Sequence, residues 1–267
     1  MKAAVLQQAA MAAGAFLLLS LSLPAQTLLI DFGPTADATD NSAGLNPANI
    51  GGGTWNKSAA DLNSGVLYAD GSAATGVYVD VGSDNSSTTS VKFSSGVSTL
   101  NGSAAAFTTG VFAGTSPARD VIFASGTGVG VNIGGLAAGT YNVYISAALT
   151  NTASPAAATL YAGAVASSSV GQNSATPFTF TSLASLTESN ATAGISSAWN
   201  AGQNYVEFTN VTLGAGDNLV IAGVNGTSTI PLNMVEIVAV PEPSTLAFLG
   251  AGALGLLLLA RRRAVLA

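Results

Sequence analysis

The chain has 267 residues, no cysteine and no histidine, and a formal net charge of −6. Disulfide frameworks, thiolate metal sites and every catalytic arrangement built on histidine or cysteine are thereby excluded. Charged residues are 7% of the chain and hydrophobic ones 48%; Lys, Glu and Arg, which usually populate exposed helix faces, are scarce, so the composition points to strands.

The chain opens with Met1-Lys2, an apolar run over residues 9–23, and Leu23-Pro24-Ala25 before Gln26. These are the parts of a secretory signal peptide, residues 1–25. Residues 26–239 then form the body, a length that suits one domain. With both ends set aside, it keeps three basic residues, Lys57, Lys92 and Arg119, against 12 acidic ones, a formal net charge of −9. No basic patch can be assembled from so few cations, which excludes nucleic acid and anionic lipid as partners of the body.

Short bursts of strand formers, divided by Gly and Asn turns, run through the body. The first is 28–32, ending in Asp31-Phe32-Gly33-Pro34, followed by a polar, turn-rich stretch at 35–53 that closes on Gly51-Gly52-Gly53 before Trp55. Strands are expected at 65–68 and 76–81, the second with Val77, Val79 and Val81 on one face. Segments 91–93, 121–124 and 129–133 continue the series. Gly134 to Gly139 form a tight turn into 140–147, where Tyr141, Val143 and Ile145 share a face. Later strands fall at 158–161, 178–181, 205–208, 219–222 and 233–238, with a strong turn signal at 214–218. Residues 182–190 read as a short helix or a loop. The fold class is all-β, a β-sandwich or jelly roll of about ten to twelve strands.

Val240-Pro241-Glu242-Pro243-Ser244-Thr245 follows the body, then an uncharged apolar run, then Arg261-Arg262-Arg263. As a helix, residues 245–260 would span about 24 Å, near the short limit for a bilayer core of about 30 Å. The arginines would hold their end in the cytoplasm, leaving the body outside. Two prolines in three residues keep 241–243 extended, a form that a processing enzyme can grip, and Ser244 and Thr245 can cap the helix. This succession, residues 240–267, resembles the PEP-CTERM sorting signal of Gram-negative bacteria. The resemblance implies recognition of the Pro-Glu-Pro segment by an exosortase-type transpeptidase, removal of the helix, and delivery of the body to the cell surface or its matrix. A plain C-terminal membrane anchor is the alternative.

The Ile30 to Gly33 element, the turn and strand from Gly135 to Val143, the segment Asn204 to Phe208 and the closing Leu232 to Ile237 also resemble exported bacterial proteins with a galactose-binding-like jelly roll. Another β-sandwich is the alternative.

Candidate sites must come from Asp, Glu, Asn, aromatic rings and backbone carbonyls. Asp80, Asp84 and Asn85 form an oxygen-rich cluster of the kind calcium takes, as do Asp37, Asp40 and Asn41; local turn hydrogen bonds account for the same residues. No other cofactor is expected. A glycosidase needs paired carboxylates about 5 to 9.5 Å apart, whereas Glu207 and Glu236 stand in strands at outward positions and nothing pairs them. Trp55, Trp199, Tyr68 and Tyr205 are the available platforms for stacking on sugar rings, and Trp55 and Trp199 fall in loops where a ring can be exposed; edge-of-core aromatics are the alternative. The expectation is a non-enzymatic exported protein of the cell surface or matrix that associates with extracellular polysaccharide. Its alternatives are a purely structural sandwich and a calcium-dependent carbohydrate-binding module.

Overall fold

The structure, a computed structural model, describes residues 26–33, 54–84, 87–101, 120–124, 127–147, 157–189, 199–224, 230–241 and 252. The strands in chain order are β1 (Thr27–Phe32), β2 (Asn56–Ser58), β3 (Tyr78–Ser83), β4 (Ser90–Val91), β5 (Ser98–Asn101), β6 (Asp120–Ala124), β7 (Val129–Gly134) and β8 (Gly139–Ser146). They continue as β9 (Ala158–Ala166), β10 (Phe178–Thr179), β11 (Ala184–Glu188), β12 (Val206–Leu213), β13 (Asp217–Val224), β14 (Ile230–Leu232) and β15 (Met234–Ala239). Among the described residues of 26–241 there is no helix, and Gln26–Val240 form one compact unit. The expected signal peptide and the expected membrane helix at 245–260 lie outside the described residues, apart from Gly252.

Two five-stranded sheets carry the body, in the orders β12-β8-β15-β1-β2 and β11-β9-β13-β7-β3. Pairing is antiparallel throughout except between β1 and β2. Alternation along the strands aims one set of side chains between the sheets. Leu28, Ile30 and Phe32 of β1, Tyr141, Val143 and Ile145 of β8, and Val235 and Ile237 of β15 meet Val79 and Val81 of β3, Val129, Val131 and Ile133 of β7, and Leu219 and Ile221 of β13 in one buried cluster. The expected faces of 76–81 and 140–147 are those observed.

Local chemistry fixes the turns. Gly135 has φ +78°, and a Cβ there would overlap the carbonyl oxygen of Gly76; only glycine accepts both the backbone conformation and the close approach. The Tyr141 hydroxyl donates to the Ala137 carbonyl at 2.7 Å, bracing the same turn. Residues 65–68, expected as a strand, make only an isolated bridge, Leu67 to Ala73. The reason is Asn56: its side-chain amide donates to the Leu67 carbonyl at 2.7 Å and accepts from the Leu67 amide at 2.8 Å, so a side chain fills the place of a neighbouring strand. Residues 184–188, within the stretch expected as helix or loop, are the edge strand β11, paired with β9.

Both sheets are covered on their outer faces as well. Over the β11-β9-β13-β7-β3 sheet, Val91, Phe93, Val170 and Phe180 pack on Val220 and Ala222. Gly82 permits this closeness, because a Cβ there would collide with the Lys92 carbonyl oxygen. Over the other sheet, Trp55, Trp199 and Tyr205 pack on Leu29, Tyr144 and Met234.

Candidate functional site

Trp55, Trp199 and Tyr205, expected as accessible platforms, are 7%, 3% and 7% exposed. Of the two expectations for the tryptophans, exposed rings or edge-of-core aromatics, the structure shows the second. Their rings form one cluster in which Tyr205 stands 6.4 Å from Tyr144 and 6.5 Å from Trp199 between ring centroids. Leu29, Tyr144 and Met234 point away from the main core and are apolar, so some other part of the chain must cover them. Tyr68 stands apart, half-buried against the main core. The signal available in the sequence was the apolar side chain at outward positions of β1, β8 and β15.

A row of side chains crosses that same outer face. Register places Glu207 opposite Tyr144, Tyr144 opposite Glu236, and Glu236 opposite Leu29. The Tyr144 hydroxyl donates to Glu207 Oε1 at 2.8 Å, and burial, then Glu207, pushes its titration upward. Glu236 is fully buried and neither carboxyl oxygen has a hydrogen-bond partner. Burial pushes its carboxyl up to about 8. The outward, solvated position expected for Glu236 is thus corrected, since the face it points to is covered. Glu207 and Glu236 sit two strands apart, roughly 10 Å at the backbone, but no substrate reaches a carboxyl sealed in this way. Glu188 is buried too; its Oε2 accepts the Ala147 amide at 3.0 Å, and burial raises its carboxyl well above the usual range.

The Asp80–Asp84 cluster is divided between separate partners. Asp80 is fully buried, and its Oδ2 accepts the Asn173 amide at 2.7 Å. Burial, aided by the charge of Asp61, pushes it up to about 7. Asp84 accepts the Ser90 hydroxyl at 2.7 Å and pairs with Lys92 Nζ at 3.3 Å. Asn85, like Asp37, Asp40 and Asn41, lies outside the described residues. Among the described residues no three acidic side chains converge on a point that could hold a metal ion.

Among the described residues a groove opens where edges of the two sheets meet. β11 is the edge of one sheet and β12 the edge of the other, and β12 packs against both β9 and β11. A groove of about 520 Å³ runs between them, lined by Leu183, Ser185 and Leu186 on one side and by Phe208, Thr209 and Asn210 on the other. A register shift between Phe208 and Val211, with Asn210 at φ 57°, interrupts the pairing of that wall with β8. The Asn142 side chain holds that bulge by accepting the Asn210 amide at 3.1 Å. Leu186, 39% exposed, is the large hydrophobic side chain left open among the described residues.

The tail begins where sheet hydrogen bonding ends. The Ala239 amide donates to the Gln26 carbonyl at 3.1 Å and the Val240 amide to the Thr140 carbonyl at 2.8 Å, after which Pro241 is exposed. Residues 239–263 match the PEP-CTERM protein-sorting motif, which marks the chain as exported and transiently anchored by its C-terminal tail. Glu242, Pro243, Ser244, Thr245 and Arg261 to Arg263 fall within this match but outside the described residues. No curated protein matches the chain. Among solved structures, the carbohydrate-binding module TmCBM61, determined in complex with β-1,4-galactotriose, aligns at 8% identity and a TM-score of 0.31, covering 61% of this chain and 88% of that one. A likeness that loose assigns no ligand here.

Proposed function

We propose that this chain is a non-enzymatic protein of the cell surface or extracellular matrix, released from its membrane tail by an exosortase-type transpeptidase, and that its sandwich associates with exopolysaccharide. The observation that carries the reading is the sorting motif at 239–263, which begins at the last residue of β15. A processing enzyme that cuts there removes nothing from the core. The sealed position of Glu236 supports a non-catalytic body, and the net charge of −9 between the two ends supports a partner other than nucleic acid or anionic lipid.

The test is binding of the processed protein to exopolysaccharide of its source organism, with calcium and with chelator. Saturable binding in both conditions supports the association, and binding abolished by chelator supports the calcium-dependent version. A folded sample that binds in neither condition leaves a purely structural sandwich. That second reading is favoured by one observation, the burial of Trp55, Trp199 and Tyr205, which removes them as stacking platforms.

A further inference from the structure

We infer that this chain pairs with a second copy of itself along the open edge of β11, antiparallel about a two-fold axis at Leu186, so that two five-stranded sheets become one. An edge strand presents a row of unpaired amides and carbonyls, and folded proteins blunt such edges when nothing is meant to dock there. The other three edges of the two sheets are blunted. β2 is only three residues long. β12 is broken by the register shift between Phe208 and Val211. β3 is met on its far side by Leu62, which exchanges hydrogen bonds with Val79 at 2.7 and 3.0 Å, and by Asp61, whose Oδ1 accepts the Val81 amide at 2.8 Å. β11 has none of these devices. It pairs with β9 along its whole length without a shift, and Ala184, Ser185, Leu186 and Thr187 are all exposed and carry neither charge nor proline.

Leu186 selects the occupant. It stands opposite Leu160, which is fully buried between the sheets, so its side chain lies on the core-facing side of β11. It is nonetheless 39% exposed, because the sheet ends there and among the described residues no strand lies beyond it. A two-fold axis normal to the sheet keeps the core-facing sides of both copies together, and so sets core-facing residues opposite core-facing residues. Centred on Leu186, it brings that side chain against the partner's Leu186 and extends the apolar row that Leu160 begins. Ser185 then meets the partner's Thr187 on the other side of the sheet, hydroxyl opposite hydroxyl. Ala184 meets the partner's Glu188, whose carboxyl is buried and turned to the Ala147 amide of its own chain. The pairing therefore covers the open leucine and sets no like charges against each other; the edge is its own complement.

The experiment follows the full chain in mild detergent by sedimentation over about a hundredfold range of concentration. The wild type should show a monomer–dimer equilibrium. Leu186→Lys, at an exposed position, should raise the dimer Kd at least tenfold while circular dichroism stays unchanged, because a lysine on an edge strand opposes pairing. The chain has no cysteine, so Leu186→Cys carries a single thiol, and a short bifunctional maleimide should join two copies through it. Gly96→Cys, exposed beside β3 where the Ser83 hydroxyl donates to the Gly96 carbonyl, lies at the opposite edge of the same sheet and should not crosslink. A wild type that stays monomeric throughout overturns the inference. A dimer that Leu186→Lys leaves unchanged overturns it too, since the contact then lies elsewhere, the apolar tail included. Equal crosslinking through the two introduced thiols overturns the choice of edge.

Discussion

Replacement of Glu236 by Gln tests the electrostatics of the covered outer face. In the folded body burial moves this carboxyl from 4.5 to about 8. Between those values the folded protein holds a proton that the unfolded chain has released, so stability falls as pH rises, by about 1.4 kcal/mol per pH unit. Across the window the loss approaches roughly 5 kcal/mol, an upper bound because a strained core relaxes or admits water. Below pH 4.5 both states are protonated and the term vanishes. Glu236→Gln keeps the shape and cannot ionise. Its stability should match the wild type within about 1 kcal/mol at pH 4 and exceed it by about 3–5 kcal/mol at pH 8.5. Glu188 and Asp80 also carry raised carboxyls, so the difference between the two proteins, not the wild-type slope alone, isolates Glu236. Urea unfolding followed by fluorescence suits the measurement, because Trp55 and Trp199, the two tryptophans of the chain, both lie in the cluster on that face. Parallel stability curves for the two proteins from pH 4 to 8.5 would refute the reasoning.

Trp199→Ala should cost about 3–5 kcal/mol in the same unfolding assay, as expected for a buried ring; a loss under about 1 kcal/mol would mean that the ring is not core. Phe180→Ala should cost a similar amount, since the ring is fully buried and stands 5.0 Å from Tyr161 of β9, in the sheet that it covers. Gly135→Ala should destabilise by more than about 1 kcal/mol, because it combines a positive φ with backbone overlap, whereas Gly96→Ala, which meets nothing and has no positive φ, should be near neutral.

How far the sequence alone reached is clearest strand by strand. Val77, Val79 and Val81 alternate with polar neighbours, and period two is enough to place them in the core. Tyr141, Val143 and Ile145 behave the same way after a glycine-rich turn. The alternation rule assumes, however, that the second face meets solvent. In β1, β8 and β15 it does not, and so Glu236, outward by period, is buried by residues that arrive from 55 and from 199–205. For Trp55 and Trp199 the sequence leaves exposed ring and edge-of-core aromatic both open for the same reason, since nothing local says that a tryptophan in a loop will fold back over a distant strand. β11 carries no period-two signal because Ala184 to Thr187 are all exposed, leaving an edge strand without an apolar stripe. The groove could not be read at all, because its walls belong to edges of different sheets. By contrast, the sorting motif was legible, since its order of proline pair, apolar run and arginines acts as a linear signal and needs no tertiary partner.

The most direct test of the account is the C-terminal end of the mature protein, determined by mass spectrometry on material recovered from the surface and matrix of the source organism. The expected product is a polypeptide that ends within or next to Pro241-Glu242-Pro243 and lacks residues 246–267, with a Pro241→Ala/Glu242→Ala/Pro243→Ala variant held in the inner membrane at full length. Recovery of the wild-type chain intact to Ala267, in the membrane fraction alone, would contradict it.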